Sequence, residues 1–198
     1  MSLSPSRSEL RQAIRQTVRQ HRRALSADEQ RNFACKAAQR MLEMPQVAQA
    51  KNIALFLSFD GELDTAPLIH ALWQAKKAVY LPVLHPFSSG NLLFLRYSET
   101  TPLIRNRLKI LEPQLDVRQV LPLAQLDILV TPLVAFDSEG QRLGMGGGFY
   151  DRTLQHWQQH HFYPVGLAHD CQWVPELPTE VWDIPLPAVV TPSRLWQW

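Results

Sequence analysis

Apolar residues in the first forty positions recur at the three- and four-residue spacing of amphipathic helices. This spacing predicts a helix over residues 8–25. Ser26 and Glu29 have the Ser-x-x-Glu form of a capping box, in which each side chain hydrogen-bonds the backbone of the other. We therefore expect a second helix from there to Leu42, and Pro45 follows it as a stop signal.

Short apolar runs further along the chain predict strands, several of them buried on both faces of a sheet. The runs are 52–58, 78–84, 92–97, 126–134, 165–168 and 188–191. Helical patterns at 65–77 and 150–160 lie between them, whereas residues 98–123 show no clear pattern. Proline cannot donate to a sheet ladder, so Pro132 and Pro192 are expected to end their strands.

This alternation of helices and buried strands predicts an α/β fold with a mostly parallel sheet that is covered on both faces. No linker divides the chain, so we expect residues 1–198 to form a single domain. Ligands on such sheets bind beyond the carboxyl ends of the strands. The loops after Ser58, Val134 and Thr191 are therefore where a site is expected.

Composition and charge narrow the class of protein. A net charge of +2 over 198 residues argues against binding nucleic acid through overall charge, although it leaves room for a local basic patch. Two cysteines are too few for a disulfide framework, which favours a reducing compartment. No apolar run approaches the ~20 residues of a membrane span, and the first thirty residues lack the apolar stretch of a signal peptide. We expect a cytoplasmic protein.

Residues 144–148 hold four glycines in five positions, between a predicted strand and a predicted helix. Glycine reaches backbone conformations closed to other residues, so the amide groups of such a segment can turn together towards an anion. Arg142 adds a cation before the segment, and Asp151 after it is placed to hold Mg²⁺ beside nucleotide phosphates. The alternatives are a tight structural turn and an acid that merely favours the helix dipole.

Arginines recur every three or four residues along the first predicted helix, which places them on one face. They are Arg7, Arg11, Arg15, Arg19 and Arg22. A solvated basic face is one interpretation. Because like charges at this spacing repel, a bound anion would stabilise them, and both a nucleotide triphosphate and a nucleic-acid backbone have suitable phosphates.

Three acids follow the first predicted strand, at Asp60, Glu62 and Asp64. Asp60-Gly61 is typical of a turn, and Asp64 or Thr65 is expected to cap the next helix. Glu62 has no such local explanation and is therefore the candidate functional residue of this loop.

The segment Arg142–Asp151 reads Arg-Leu-Gly-Met-Gly-Gly-Gly-Phe-Tyr-Asp and resembles the signature of the 5-formyltetrahydrofolate cyclo-ligase family. Further similarities occur in the same order along the chain as in the family. The residues at these positions are most similar to those of the enterobacterial members. They are Arg11–Arg15, Phe56–Ser58 with Glu62, Ile110–Pro113, Trp182-Asp183 and Val189–Pro192.

This resemblance implies an ATP- and Mg²⁺-dependent enzyme that converts 5-formyltetrahydrofolate to 5,10-methenyltetrahydrofolate, ADP and phosphate. In the implied mechanism, the formyl oxygen attacks the γ-phosphate of ATP. The second folate nitrogen then attacks the activated carbon, and phosphate departs. The implied fold is a three-layer α/β/α sandwich related to sugar-phosphate isomerases and CoA transferases.

The resemblance also implies binding residues, carried over position by position. Those for ATP are Arg11, Gln12, Ala13, Ile14, Arg15, Arg142, Leu143, Gly144, Met145, Gly146, Gly147, Gly148, Phe149 and Tyr150. Those for folate are Leu57, Glu62, Met145, Gly146, Gly147, Gly148 and Phe149. Asp151 and Asp183 would hold Mg²⁺, the latter on the resemblance alone. No catalytic residue is assigned.

Two positions depart from the family pattern. Many relatives have Tyr at the position of Phe149, and some have Lys at the position of Gly147. A hydroxyl contact and one phosphate-directed charge are therefore missing from these positions.

Two other functions fit parts of the pattern. One is a sugar-phosphate isomerase or transferase that uses the glycines for substrate phosphate alone. The other is a nucleic-acid-binding module built on the arginine helix, which the near-neutral net charge disfavours. We expect a monomer with two small-molecule substrates and no nucleic-acid or membrane partner.

Overall fold

The computed structural model of the chain describes residues 5–198. Its first two α-helices have the predicted amphipathic spacing and carry Ser/Glu capping boxes at their amino ends, and the α-helices of the described residues number five. They are α1 (Arg7–Arg23), α2 (Ala27–Glu43), α3 (Pro45–Gln49), α4 (Ala66–Gln74) and α5 (Phe149–Leu154). The capping box predicted at Ser26 and Glu29 is confirmed.

The strands of the described residues are mostly short. In chain order they are β1 (Asn52–Ala54), β2 (Ala78–Leu84), β3 (Leu92–Arg96), β4 (Leu103–Arg105), β5 (Leu111–Pro113), β6 (Val120–Leu121), β7 (Ile128–Thr131), β8 (Ala135–Phe136), β9 (Arg142–Leu143), β10 (Tyr163–Leu167), β11 (Ala188–Val190) and β12 (Leu195–Gln197).

Eight of these strands form one sheet in the order β12-β11-β10-β7-β1-β2-β3-β6. The central five pair in parallel, and the antiparallel strands β12, β3 and β6 lie towards the edges. Two separate hairpins, β4–β5 and β8–β9, lie outside it. The predicted α/β fold with a mostly parallel sheet is confirmed.

Side chains of the central strands alternate between two buried layers, as a doubly covered sheet requires. Along β7, Ile128 and Val130 pack with α2, α3 and α4, whereas Leu129 packs on the opposite face with α5 and neighbouring loops. A third, smaller cluster joins Val18 of α1 to Leu143 and the β8–β9 hairpin. This packing places α1 beside the segment that follows β9.

Several predicted boundaries are wrong in instructive ways. The first strand leaves the ladder after Ala54, so Phe56 and Leu57 are freed to line a cavity. Pro45 does stop α2, but it also begins α3, because proline suits the first helical position. The predicted helix 150–160 ends at Leu154, since His156 adopts a left-handed conformation with φ of 63°.

The two prolines act on their strands as predicted. β7 ends at Thr131, immediately before Pro132, and β11 ends at Val190, one residue further from its proline, Pro192. Residues 98–123, which showed no clear pattern, contain the β4–β5 hairpin and the edge strand β6. Within the described part of the chain, no helix is long and apolar enough to cross a membrane.

Candidate active site

A cavity of about 750 Å³ opens at the carboxyl ends of β1, β2 and β7. This volume lies in the range of small-molecule sites. Its walls come from α1, from the segments after β1 and β7, from the β4–β5 hairpin and from residues 180–182. The loops after β1 and β7 thus line a cavity as predicted, but no residue beyond Thr191 does; the 180–182 loop takes that place.

The glycine segment, residues 144–148, forms one wall of this cavity and leads directly into α5. Gly146 and Gly148 have φ angles of 105° and 68°, which side-chain-bearing residues rarely adopt. The backbone N–H groups of residues 145–148 donate no hydrogen bond to any other described residue. The segment therefore presents unused amide donors at the cavity.

Two arginines hold the glycine segment by its carbonyl oxygens. Arg15 Nε donates to the Gly144 oxygen at 2.8 Å. Arg152 Nη1 donates to the Gly147 oxygen at 2.9 Å and to the Gly90 oxygen at 3.1 Å. These bonds hold the backbone of the segment in place, while the amide groups of residues 145–148 have no partner in the described chain and are available to a ligand. Arg152 was missed by sequence reasoning, since its contacts are set by tertiary structure.

The first arginines of α1 bind the loop that carries Asp183. Arg11 donates to both carboxylate oxygens of Asp183, at 2.5 and 3.0 Å, and to the Pro178 carbonyl at 2.8 Å. Arg7 pairs with Glu180 at 3.2 Å. The hydrogen bond to Asp183 is the largest cause of a raised pKa for Arg11.

The last arginines of α1 converge on the carboxylate of Asp60. Arg19 lies 3.8 Å and Arg22 3.4 Å from Asp60 Oδ2, and Arg23 lies 2.5 Å from Oδ1. Arg22 is fully buried and also donates to the Asp60 carbonyl at 2.8 Å. Asp60 has a φ of 53°, so this turn is held in a left-handed conformation by α1.

Arg15 lies between these two groups and differs from them. No carboxylate of residues 5–198 is within salt-bridge distance of its guanidinium, whereas Arg7, Arg11, Arg19 and Arg22 all have acidic partners. Burial is the largest cause of a lowered pKa for Arg15, and neighbouring arginines add to it. An uncompensated, partly buried cation thus faces the cavity next to the glycine segment.

Arg142 and Asp151 flank the glycine segment in sequence and form a largely buried ion pair. Arg142 is 3% exposed, and its Nη2 lies 2.5 Å from Asp151 Oδ1. Burial is the main cause that lowers the pKa of Arg142, and Asp151 is the strongest opposing influence. Sequence proximity predicted both residues for the site, and both line the cavity.

Glu62 lines the cavity from the loop after β1. Its Oε2 accepts a hydrogen bond from the Phe59 backbone at 2.9 Å. Burial raises the pKa of Glu62 to about 7, against the lowering influence of the Arg22 charge. The carboxyl group therefore titrates near neutral pH at the cavity wall.

His169 lies behind this loop and supplies a test of the packing there. It is 1% exposed, and burial lowers its pKa from 6.5 to about 4, with Arg22 adding to the effect and the Gly61 carbonyl and Asp170 opposing it. The His169 side chain of the unfolded chain therefore binds a proton more readily than that of the folded protein. The contribution of neutral His169 to the free energy of unfolding is fully present above pH 6.5 and is lost as the pH falls towards 4.

We expect the protonation of His169 to lower the free energy of unfolding by about 2–3 kcal/mol when the pH is lowered from 7 to 4.5. His169→Gln, which does not titrate, should show a pH dependence flatter by that amount in urea unfolding at both pH values. His161→Gln is the control, because His161 is exposed. Equal pH dependence in the wild type and His169→Gln would contradict this role.

Not every predicted site residue reaches the cavity. Arg11 and Arg15, one helical turn apart, line it together. Gln12 and Ala13 are exposed elsewhere on α1, and Ile14 packs against the small apolar cluster. Two further predicted residues also fall outside or behind the cavity wall. Leu143 is buried in the same cluster, and Asp183 is held behind Arg11.

The remaining predicted residues are brought together. They are Leu57, Glu62, Arg142, Gly144, Met145, Gly146, Gly147, Gly148, Phe149, Tyr150 and Asp151. A Cβ atom on Gly147 would lie 2.7 Å from the Phe149 ring, so a side chain at position 147 would require this ring to move.

The chain is similar to known proteins over most of its length. A family model described as the 5-formyltetrahydrofolate cyclo-ligase family matches residues 7–192. The chain is 66% identical over 181 residues to the 5-formyltetrahydrofolate cyclo-ligase of Escherichia coli strain K12, covering 91% of this chain and all of the relative. It is 57% identical over 176 residues to that of Haemophilus influenzae, covering 89% and 94%.

Solved structures lead to the same family. The NMR structure of Aquifex aeolicus 5,10-methenyltetrahydrofolate synthetase matches with a TM-score of 0.80 at 30% identity, covering 95% of this chain and 92% of that one. A Mycoplasma pneumoniae 5,10-methenyltetrahydrofolate synthetase shares the fold, with a TM-score of 0.73 at 23% identity over 92% and 98% of the chains. The resemblance seen in the glycine segment is confirmed: the chain belongs to the 5-formyltetrahydrofolate cyclo-ligase family.

Proposed function

We propose that this protein is an enzyme that converts 5-formyltetrahydrofolate and ATP to 5,10-methenyltetrahydrofolate, ADP and phosphate. Family membership supports the reaction. The observation that carries the ATP site is Arg15, a cation without an acidic partner among residues 5–198. It lies beside unused backbone amides of the glycine segment. Together they form a site for an anion with several charged oxygens.

The cavity has two chemically different ends. Arg11, Arg15, Arg142 and the glycine segment supply cations and amide donors at one end. The other end, beyond β2, has mostly apolar walls, which suit a flat heterocyclic ring better than a triphosphate. The residues of this wall include Leu81, Pro82, Leu84, Leu92, Leu108 and Ile110. We assign the phosphates of ATP to the first end and the folate ring to the second.

This arrangement suits the proposed chemistry. A formyl oxygen is a poor leaving group, so it is converted to a phosphate ester by attack on the γ-phosphorus, and ADP leaves. The second folate nitrogen then bonds to the formyl carbon and loses its proton, while the carbon–oxygen bond breaks and phosphate departs. Positioning and charge stabilisation are the protein's main contributions to phosphoryl transfer. Arg15, Arg142 and the amides of residues 145–148 are placed to supply them.

Asp151 fits a role in holding Mg²⁺. Its Oδ1 accepts from Arg142 and from the Ile184 backbone, whereas Oδ2 has no partner within the described chain. Both oxygens of Asp183 are engaged by Arg11, so Asp183 would have to release that arginine to become a ligand. No cluster of three or more potential ligand side chains occurs among residues 5–198, so phosphate oxygens would complete the coordination. Bound Mg²⁺ would neutralise phosphate charge.

Leu57, Glu62 and residues 145–149 are proposed to contact the folate. Leu57 and Glu62 follow β1 and face the same cavity as the glycine segment. The glycine segment would then lie between the two substrates, which agrees with the need to bring the formyl oxygen to the γ-phosphate. Each half of the segment would serve a different ligand.

Replacing Arg15 by alanine should raise the KM for ATP by about tenfold or more, because charge-assisted hydrogen bonds contribute about 1.5–3 kcal/mol. The KM for 5-formyltetrahydrofolate should change much less. Arg19→Ala is the matched control one turn along α1, where the arginine pairs with Asp60. Initial rates over both substrates provide the test. Equal losses for ATP and folate would mean that Arg15 supports the architecture and does not contact ATP.

The function itself is tested by mixing the protein with 5-formyltetrahydrofolate, ATP and Mg²⁺. We expect one ADP to form for each 5,10-methenyltetrahydrofolate. The formation of 5,10-methenyltetrahydrofolate is monitored by its absorbance. No turnover, or turnover without ATP, would refute the proposal.

The proposal also covers the state of the protein. We propose that residues 1–198 form a single domain and that the protein is a monomer in the cytoplasm, without nucleic-acid or membrane partners.

A further inference from the structure

Glu112 is a buried acid in the apolar wall of the cavity. It has no part in the ATP, Mg²⁺ and folate contacts proposed for the other residues. It is 8% exposed and lies in β5, the second strand of the β4–β5 hairpin. Its Oε2 accepts hydrogen bonds from the Leu84 backbone at 3.1 Å and from Asn106 Nδ2 at 2.8 Å. These bonds fix the carboxyl group at the end of β2.

The second oxygen of Glu112 is free. Oε1 has no hydrogen-bond partner among residues 5–198, although the residue lines the cavity. A ligand that donates a hydrogen bond at this point would give this oxygen a partner.

The surroundings of Glu112 indicate which ligand group this is. Leu84, Leu92, Leu108 and Ile110 line the same cavity and offer a slot for a flat ring. A negative carboxylate would repel phosphate, so the triphosphate does not fit here. The ring of 5-formyltetrahydrofolate carries an amino group on one edge, and this group can donate to the free Oε1, whereas Oε2 already accepts two hydrogen bonds.

We propose that Glu112 binds the amino-pyrimidinone edge of the folate ring and so determines which ring the apolar end accepts. This inference rests on the proposed function, because it takes 5-formyltetrahydrofolate as the substrate. A chain of contacts joins the two ends of the cavity. Glu112 holds Leu84, the turn after β2 reaches Gly90, and Arg152 joins Gly90 to Gly147. The ring site is thereby set at a fixed position relative to the phosphate site.

The test compares two ligands in the absence of ATP. One is 5-formyltetrahydrofolate, and the other is the same molecule without the ring amino group. The wild type should bind the first about tenfold or more tightly than the second, since a hydrogen bond to a charged group contributes about 1.5–3 kcal/mol. Glu112→Gln places a donor or a weaker acceptor at this point. It should therefore bind both ligands within about twofold of each other.

Asp116→Asn is the matched control, because Asp116 lies four residues away and pairs with the exposed Arg118. It should discriminate as the wild type does. If Glu112→Gln does not fold, Glu112→Asp is decisive. The shortened side chain, tied to Leu84, draws its free oxygen out of the cavity and should lose most of the discrimination.

Unchanged discrimination in the folded Glu112 variant would overturn the inference, as would a selective rise in the KM for ATP. Wild-type turnover is measured first, so that the two proposals fail separately. No turnover by the wild type counts against the function. Turnover with a Glu112 variant that still discriminates counts against Glu112 alone.

Discussion

Replacing Asp151 by asparagine is expected to lower kcat by about a hundredfold and to raise the Mg²⁺ concentration needed for half-maximal rate. Asp151 lines the cavity beside the glycine segment, where a metal ion bound to ATP would lie, and its Oδ2 has no partner in the described chain. A neutral amide oxygen is a weaker ligand for Mg²⁺ than a carboxylate, which gives the direction of the shift. Loss of one charge-stabilising contact in a water-excluded site typically costs about 2.7–4 kcal/mol of activation free energy.

This substitution should also lower stability, because Asp151 is the partner of the buried Arg142. Removing one member of a buried pair costs about 3–5 kcal/mol, although asparagine keeps an acceptor oxygen for Arg142 and reduces that cost. A fall in the melting temperature alone therefore does not establish the metal role. The Mg²⁺ titration of the initial rate does.

Asp116→Asn is the control for Asp151→Asn, since it removes an acid from an exposed ion pair with Arg118. Exposed pairs contribute only about 0–1 kcal/mol, so neither stability nor Mg²⁺ dependence should change. If Asp151→Asn keeps the wild-type Mg²⁺ dependence, Asp151 serves the structure of the site and does not hold the metal.

Replacing Glu62 by glutamine is expected to abolish a pH dependence centred near pH 7. Burial raises the pKa of Glu62 to about 7, with Arg22, Asp60 and Arg19 also acting on it and Tyr150 beside it. If the ionised carboxylate accepts hydrogen bonds from the folate, kcat/KM for 5-formyltetrahydrofolate falls as the pH drops below 7. The expected slope is about tenfold per pH unit well below that value.

The measurement is kcat/KM for the folate between pH 6 and 8.5, at saturating ATP. Glu62→Gln should be at least about tenfold less active at pH 8 and nearly flat with pH. Asp64→Asn, in the same loop, is the control because the asparagine oxygen can still accept the hydrogen bond that the Ala66 N–H donates to Asp64 at the start of α4. A Glu62→Gln profile that retains the wild-type inflection would assign the titration to another group.

The parts of the fold that could be predicted are those determined by local sequence. Helices α1 and α2 follow from apolar periodicity and from the capping box at Ser26. The central strands follow from continuous apolar runs, because both faces of the sheet are buried. Strand ends at Pro132 and Pro192 follow from the missing N–H of proline.

The parts that could not be predicted depend on tertiary contacts. Phe56 lies outside the strand but is buried in the core and at the cavity wall, so the apolar run that contains it looks like a continuing strand. The β4–β5 hairpin carries few apolar alternations and is anchored by Glu112 to the end of β2. Helix α5 is cut short where His156 turns left-handed, which apolar spacing does not reveal.

The site residues also fall into those that local sequence predicts and those that only the tertiary structure shows. Arg142, the glycines and Asp151 are close in sequence, so their joint role was visible as a local pattern. Arg11 and Arg15 were found through helical spacing, which also explains why Gln12 and Ala13 point elsewhere. Recognising Arg15 as the arginine without an acidic partner required the positions of Asp60 and Asp183 in space.

The central claim is that one cavity holds both substrates, with the glycine segment between them. A crystal structure with 5-formyltetrahydrofolate and a non-hydrolysable ATP analogue tests it most directly. We predict the terminal phosphates on the amides of residues 145–148 and on Arg15, with the folate ring at the apolar end beyond Leu84. A triphosphate at the apolar end, or a folate bound outside this cavity, would contradict the claim.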